Sequence, residues 1–385
     1  MSKSNNAISC PHAQKCGGCQ LQNMDYARQL AFKQATVVKL LGKFHRVSDI
    51  IGMDDPYHYR NKVGAAFGLT RGGKIVSGVY QSSSHRIVNV NDCLLEDERA
   101  DEIIVYIRSI LPDFRILPYN EDTGKGFLRH VLVKRSDKTN QTMVVFVGAN
   151  HVFPQKHNIA AALVEKFPDI TTVLFNVNPM KTSMVLAERE EILYGPGYIE
   201  DILCGCRFRI SAKSFYQINP KGAEILYNTA IGLAAPTKDE TLIDAYCGTG
   251  TIGIVASKLA GRVIGVELNK DAVHDAKVNA KLNNASNARF YCDDAGRFMT
   301  GLVESGEKID TVIMDPPRAG SSKEFTDCLV RIAPAKIVYV SCNPETQQRD
   351  IYALIKGGYT VKKIVPVDMF PMTRHVETVC LLTRK

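Results

Sequence analysis

The chain has 385 residues, 45% hydrophobic and 23% charged, an ordinary globular composition with core enough for two or three domains. No apolar run approaches the roughly 18 residues a membrane span needs, and the opening MSKSNNAISCPHAQK lacks a secretory h-region. A cytoplasmic protein with no membrane or obligate protein partner is expected, and the net charge of +8 weakly favours a polyanion such as nucleic acid.

Residues 1–24 are rich in Cys and Gly and show no period. Cys10-x5-Cys16-x2-Cys19 places three thiols close together, with glycines that permit a tight wrap, and reads as metal ligation. Spacing alone does not separate zinc from an iron–sulfur cluster. Cys93, in NDCLLED, and the Cys204-Gly205-Cys206 pair are rival sources of a fourth ligand. The one-residue spacer and strand setting of the pair count against it.

A helix is predicted over 26–44, with Leu30, Val37, Val38 and Leu41 on one face. Strands follow over 63–69, 75–80 and 86–90, then a helix over 98–110 and strands over 127–134, 143–147 and 173–177, with a helix over 155–166. This is an α+β middle region. Near residue 205 the character changes. Short apolar segments at 242–245, 262–266, 288–291, 311–314 and 337–340 lack strict alternation, as strands buried on both faces of a parallel sheet do. A helix over 271–282 and others fit between them, which predicts a doubly wound α/β domain with ligands at the strands' carboxyl ends.

The segment LIDAYCGTGTIGI runs from a strand into Gly248, Gly250 and Gly253. Glycines allow a sharp turn and close approach to a ligand. The G-x-G-x-x-G spacing suits a nicotinamide cofactor as well as S-adenosylmethionine. Carboxylates recur at strand ends, at Glu267 in VIGVELN, Asp294 in YCDDA and Asp315 in DPPR. They suit a cationic, ribose-bearing cofactor better than a pyrophosphate.

Cys342 in SCNPET ends the strand KIVYV and is a candidate nucleophile. Glu377, just before the strand TVCLL, is a candidate buried acid, whereas His375 alone reads as an exposed polar residue. Together Cys342 and Glu377 match one chemistry. A thiolate added to carbon 6 of uracil makes carbon 5 nucleophilic, and after methyl transfer a base must remove the carbon 5 proton. The base would be flipped out of any helix to reach them.

SCNPET at 341–346 and MFPMTRHVETV at 369–379 resemble the nucleophile and general-base signatures of the RNA uridine-5 methyltransferase family, which includes the 23S rRNA and tRNA enzymes. The resemblance spans nearly the whole chain. It implies Cys342 as nucleophile and Glu377 as proton acceptor, with S-adenosylmethionine contacts from Gln217, Tyr246, Glu267 and Asp315 and a less surely aligned one from Asp294. Thr251 stands where some members have asparagine, so that contact is not carried over. RNA cytosine-5 methyltransferases resemble the cofactor domain but carry a Pro-Cys where this chain reads DPPR, which favours uridine.

The resemblance further implies a [4Fe-4S] cluster on Cys10, Cys16, Cys19 and Cys93. The TRAM barrel of many relatives has no counterpart ahead of these cysteines, which leaves RNA to the middle region and the basic surface. The expected organisation is an N-terminal iron–sulfur arm (1–50), an RNA-facing α+β middle domain that supplies Cys93 (51–204) and a Rossmann-like doubly wound methyltransferase domain (205–385). The expected substrate is 23S rRNA first and tRNA second. An iron–sulfur nicotinamide oxidoreductase is the competing class, but it leaves SCNPET and HVET unexplained. A non-catalytic RNA-binding protein or chaperone is opposed by the intact Cys342 and Glu377.

Overall fold

The computed structural model describes residues 10–81, 84–180 and 184–385. A single turn, α1 (Ala13–Cys16), ends on Gly17 in the left-handed conformation, and α2 (Tyr26–Leu41) follows, capped by Asp25, which accepts the Arg28 N–H at 2.9 Å. The face that α2 buries is Gln29, Lys33, Val37 and Leu41. This differs from the predicted face: Val38 is exposed, and two polar residues take the interior positions.

The middle of the chain forms a seven-stranded sheet from β1 (Lys62–Leu69), β2 (Ile75–Tyr80), β3 (Ile87–Asn89), β4 (Leu128–Arg135), β5 (Thr142–Gly148), β6 (Ile170–Val177) and β7 (Glu190–Tyr194). Their spatial order is β3-β2-β1-β4-β5-β6-β7. Helices α3 (Glu98–Ile110) and α4 (Lys156–Lys166) cover one face, where Val63, Phe67, Ile103, Val131, Phe146 and Ile159 build a core. Alternation sends Leu132, Met143, Val145 and Leu174 to the other face. There they join the core of a hairpin, β8 (Tyr198–Leu203) and β9 (Cys206–Ser211), and of the C-terminal half.

The C-terminal half begins with α5 (Pro220–Ala234), whose cap Asn219 accepts the Gly222 N–H at 3.0 Å while Pro220 occupies the first turn. The chain then alternates: β10 (Thr241–Ala245), α6 (Thr251–Ala256), β11 (Arg262–Glu267), α7 (Lys270–Leu282), β12 (Ala288–Cys292), α8 (Ala295–Ser305), β13 (Thr311–Met314), α9 (Lys323–Ile332), β14 (Lys336–Ser341), α10 (Pro344–Lys356), β15 (Tyr359–Val367) and β16 (Glu377–Arg384). The sheet order is β12-β11-β10-β13-β14-β16-β15. Strands β10 to β14 are parallel, and β16 is antiparallel to both neighbours. The order reverses between β10 and β13, so a crevice opens at their carboxyl ends.

The N-terminal segment lies along the far edge of this sheet. Val47 and Ile51 bridge to Ile364 and Val367 of β15, and Val37 and Leu41 enter the core beneath β14 and β16. Among the described residues no helix is long and apolar enough to cross a membrane.

Candidate active site

The glycine loop leaves β10 at its carboxyl end. Each glycine has its own reason. A Cβ on Gly253 would stand 2.9 Å from Oδ2 of Asp244, which accepts the Gly253 N–H at 2.7 Å. Gly250 has φ +79°, and a side chain there would strike the Phe290 ring. Gly248, at φ +54°, has nothing within 4 Å of a would-be Cβ. It therefore presents bare backbone to open space, as a loop that approaches a ligand must.

That space is a cleft of about 400 Å³ lined by Gln217, Tyr246, Gly248, Thr251 and Asp315, with Phe215, Tyr216 and Tyr227 as aromatic walls. Aromatic faces and a carboxylate suit a cationic ligand. Glu267, at the end of β11, accepts N–H groups from Gly248 at 3.1 Å and Asn269 at 2.8 Å, so the carboxylate is fixed beside the loop. Thr251, which the sequence left aside, lines the same cleft beside Tyr227 and Gln217. Asp294 caps α8 through the Arg297 N–H at 3.1 Å. Asp244, which the sequence reading did not single out, is fully buried beneath the loop, and burial pushes its carboxyl up to about 8.

Cys342 and Glu377 come from strands adjacent in space. Ser341 of β14 is in register with Thr378 of β16, and the next residue outward on each strand is Cys342 and Glu377. Glu377 is 5% exposed, and burial pushes its carboxyl up to about 8, aided by the Asp315 charge and opposed by Arg318. Burial also raises the half-buried Cys342 thiol to about 11, with Glu377 and Asp315 adding to the rise and Arg318 opposing it. Asp315 itself is raised to about 7 by burial. Cys342, Glu377, Asp315 and Arg318 thus form one electrostatic unit.

Arg318 is a second residue that the sequence did not single out. Its carbonyl accepts the Asn343 amide at 3.0 Å and the Thr346 hydroxyl at 3.3 Å, which ties the DPPR turn to the SCNPET turn. Its guanidinium lies 3.3 Å from Nδ1 of His375. Burial and the nearby cations hold His375 below its ordinary value, so its neutral ring can accept from Arg318. A cation following a double proline was the available signal.

The four N-terminal cysteine candidates are all partly buried free thiols. Cys19 and Cys93 pack against one small cluster of Tyr59, Leu95 and Met372. Burial, then the charges of Cys16 and Cys10, raises the Cys19 thiol to about 11. Yet among the described residues no group of three or more His, Cys, Asp or Glu side chains is set to hold a metal ion. The four thiols thus share a neighbourhood but are not gathered into one ligand group. The rival pair lies elsewhere, with the Cys204 N–H bonded to Glu224 and Cys206 in the core beside the C-terminal sheet.

The strand order, the glycine loop and the carboxylates at the strand ends define a methyltransferase domain that uses S-adenosylmethionine. The particular family follows from comparison with known proteins. The model of the tRNA (Uracil-5-)-methyltransferase family matches residues 187–385. A protein of Listeria innocua named an uncharacterized RNA methyltransferase is 42% identical over 98% of this chain and 83% of its own. One of Clostridium acetobutylicum, similarly named, is 41% identical over 97% and 83%. Among solved structures, Pyrococcus abyssi tRNA (uracil-54, C5)-methyltransferase in complex with S-adenosyl-L-homocysteine is similar with a TM-score of 0.81 at 29% identity, covering 95% of this chain and 86% of that one. The chain belongs to the tRNA (uracil-5-)-methyltransferase family of RNA-modifying enzymes.

Proposed function

We propose that the protein transfers a methyl group from S-adenosylmethionine to carbon 5 of a uridine in RNA, with Cys342 as covalent nucleophile and Glu377 as proton acceptor. The observation that carries this reading is the β14–β16 register, which brings Cys342 and Glu377 to neighbouring strand ends beside Asp315. Bound in the cleft, S-adenosylmethionine supplies a methyl group on a sulfonium. Gln217, Tyr246, Glu267 and Asp315 are the residues proposed to hold it.

Cys342 loses its thiol proton to solvent, regaining one when the thiolate is released at the end, and its sulfur forms a bond to carbon 6 of the uracil. The electron pair of the carbon 5–carbon 6 double bond moves onto the ring carbonyl as an enolate. Arg318 offsets the negative charge that gathers among Cys342, Glu377 and Asp315. Carbon 5 of the enolate takes the methyl group. Glu377 then removes the proton from carbon 5, the double bond returns, and the thiolate of Cys342 leaves. A carboxyl near 8 is a stronger base once ionised than an exposed one, which suits that last step.

Resemblance puts 23S rRNA first as substrate. A specific observation favours tRNA as the second reading, since the similar Pyrococcus enzyme is one that acts on uracil 54 of tRNA. Nucleoside mass spectrometry of 23S rRNA and tRNA from cells with and without the gene separates them. Loss of 5-methyluridine from one pool names the substrate, and no loss from either sinks the proposal.

The proposal includes an iron–sulfur cluster on Cys10, Cys16, Cys19 and Cys93. Its support is the sequence resemblance, the charge coupling of Cys10 and Cys16 to Cys19, and the apolar cluster shared by Cys19 and Cys93. Four thiols suit iron–sulfur ligation, which would hold them as thiolates.

A further inference from the structure

The connection between β15 and β16 runs over residues 368–376 to Glu377, and its 368–373 part is held from outside at nearly every peptide. The Met369 carbonyl accepts from Asn219 Nδ2 at 2.8 Å, and that of Phe370 from Lys33 Nζ at 2.9 Å. The Pro371 carbonyl accepts the Tyr59 hydroxyl at 3.1 Å, and that of Met372 the Leu21 N–H at 2.9 Å. The Met372 N–H donates to Oε1 of Gln29 at 2.8 Å. Met372 has φ +67°, a conformation that a methionine does not adopt unless its surroundings impose it.

Two of these partners are unusual for a helix face. Gln29 and Lys33 are fully buried, and so is Asp368, whose Oδ1 lies 2.5 Å from the Lys33 ammonium and also accepts the Phe370 N–H at 3.2 Å. A buried ion pair is weak evidence for stability, because desolvation offsets its attraction. What it does supply is direction. With Gln29, it fixes the loop at residues 368, 370 and 372 from one helix.

We infer that Gln29 and Lys33 of α2 are positioning residues that hold the 368–373 loop in the conformation that aims Glu377 at the Cys342 adduct. The inference rests on the proposed roles of Cys342 and Glu377. The N-terminal segment thereby acts on the proton-removal step, although among the described residues none of its side chains lines the cofactor cleft.

The test uses the full chain, S-adenosylmethionine and RNA from cells lacking the gene. Three variants are compared with the parent: Gln29→Met, the pair Lys33→Met with Asp368→Leu, and the milder Tyr59→Phe. Glu377→Gln serves as reference. Denaturing gels read the covalent protein–RNA adduct, and rapid quenching separates adduct formation from release of methylated RNA.

The expected result is adduct formation near the parent rate with release slowed roughly ten- to a hundred-fold by the misplaced base, least in Tyr59→Phe. The thermal midpoint of each variant is measured alongside, and slowed release with a midpoint near the parent's shows that the effect is not general unfolding. Rapid release in all three variants, while Glu377→Gln accumulates adduct, overturns the inference. So does equal slowing of both steps together with a lowered midpoint, the mark of a merely structural role. Absence of adduct in Glu377→Gln removes instead the roles on which the inference rests.

Discussion

The Thr378 hydroxyl donates to the Ser341 carbonyl at 3.3 Å, a side-chain tie between the residue after Glu377 and the residue before Cys342. Gln347 of α10 reinforces it. Its amide oxygen, 2.5 Å from the Thr378 hydroxyl, shares that single proton with the Ser341 carbonyl, and its amide nitrogen donates to the Tyr339 carbonyl at 3.0 Å. The two strand ends are therefore joined by side chains as well as by the ladder.

Cys342→Ala should abolish both the covalent adduct and methyl transfer. It removes only a half-buried thiol at the end of β14, outside the cofactor cleft. Binding of S-adenosylhomocysteine by calorimetry should stay within about threefold of the parent, a change of roughly 0.7 kcal/mol. Methylated RNA from this variant would rule out Cys342 as nucleophile.

Glu377→Gln should leave a methylated adduct that does not resolve, and it should also change how stability depends on pH. The Glu377 carboxyl titrates near 8 in the fold against an ordinary 4.5. Between those values the folded protein holds a proton that the unfolded chain has lost, so this residue's contribution to stability falls as pH rises through that window. It is level below 4.5 and above 8. The glutamine variant lacks that fall. Its thermal midpoint should gain on the parent's as pH goes from 4.5 to 8, and parallel curves would show that the carboxyl is ordinary.

Gly253→Ala should cost more than Gly248→Ala in stability and less in specificity of effect. At 253 the new methyl meets a buried carboxylate at 2.9 Å, an overpacking cost of about 1–3 kcal/mol. At 248 the methyl enters open space at a left-handed φ, which costs about 1 kcal/mol and obstructs the cleft wall. Denaturant midpoints and S-adenosylhomocysteine affinity should rank the two variants in opposite order.

Cys16→Ser should prevent a visible chromophore from forming when the protein is reconstituted anaerobically with iron and sulfide. It should impair folding or RNA binding while the variant still binds S-adenosylhomocysteine, because the cysteines lie away from the cofactor cleft. Full RNA affinity in a cluster-free protein would count against the proposed role of the arm.

The sequence carried much of the local structure. The predicted strand over 311–314 is Thr311–Met314, and the predicted helix over 98–110 is Glu98–Ile110. Both are set by neighbours in the chain: an apolar run bounded by Asp-Pro-Pro, and a helix that opens on Asp97. The glycine loop was legible for the same reason, since a turn is a local event. The buried face of α2 was not. Gln29 and Lys33 look solvated by any local rule, and only Asp368 and Met372, more than 330 residues away, make burying them tolerable.

Arg318 and His375 were likewise unreadable as a pair, because each alone is an exposed polar residue and only the fold brings them to 3.3 Å. The chain order of residues thus determined the element pattern and the glycine loop, and it singled out Cys342 and Glu377 as candidates. Tertiary structure alone decided which thiol faces which acid and what holds the acid's loop. Periodicity records short-range preferences, whereas strand register and buried polar partners arise from contacts between segments far apart in the chain.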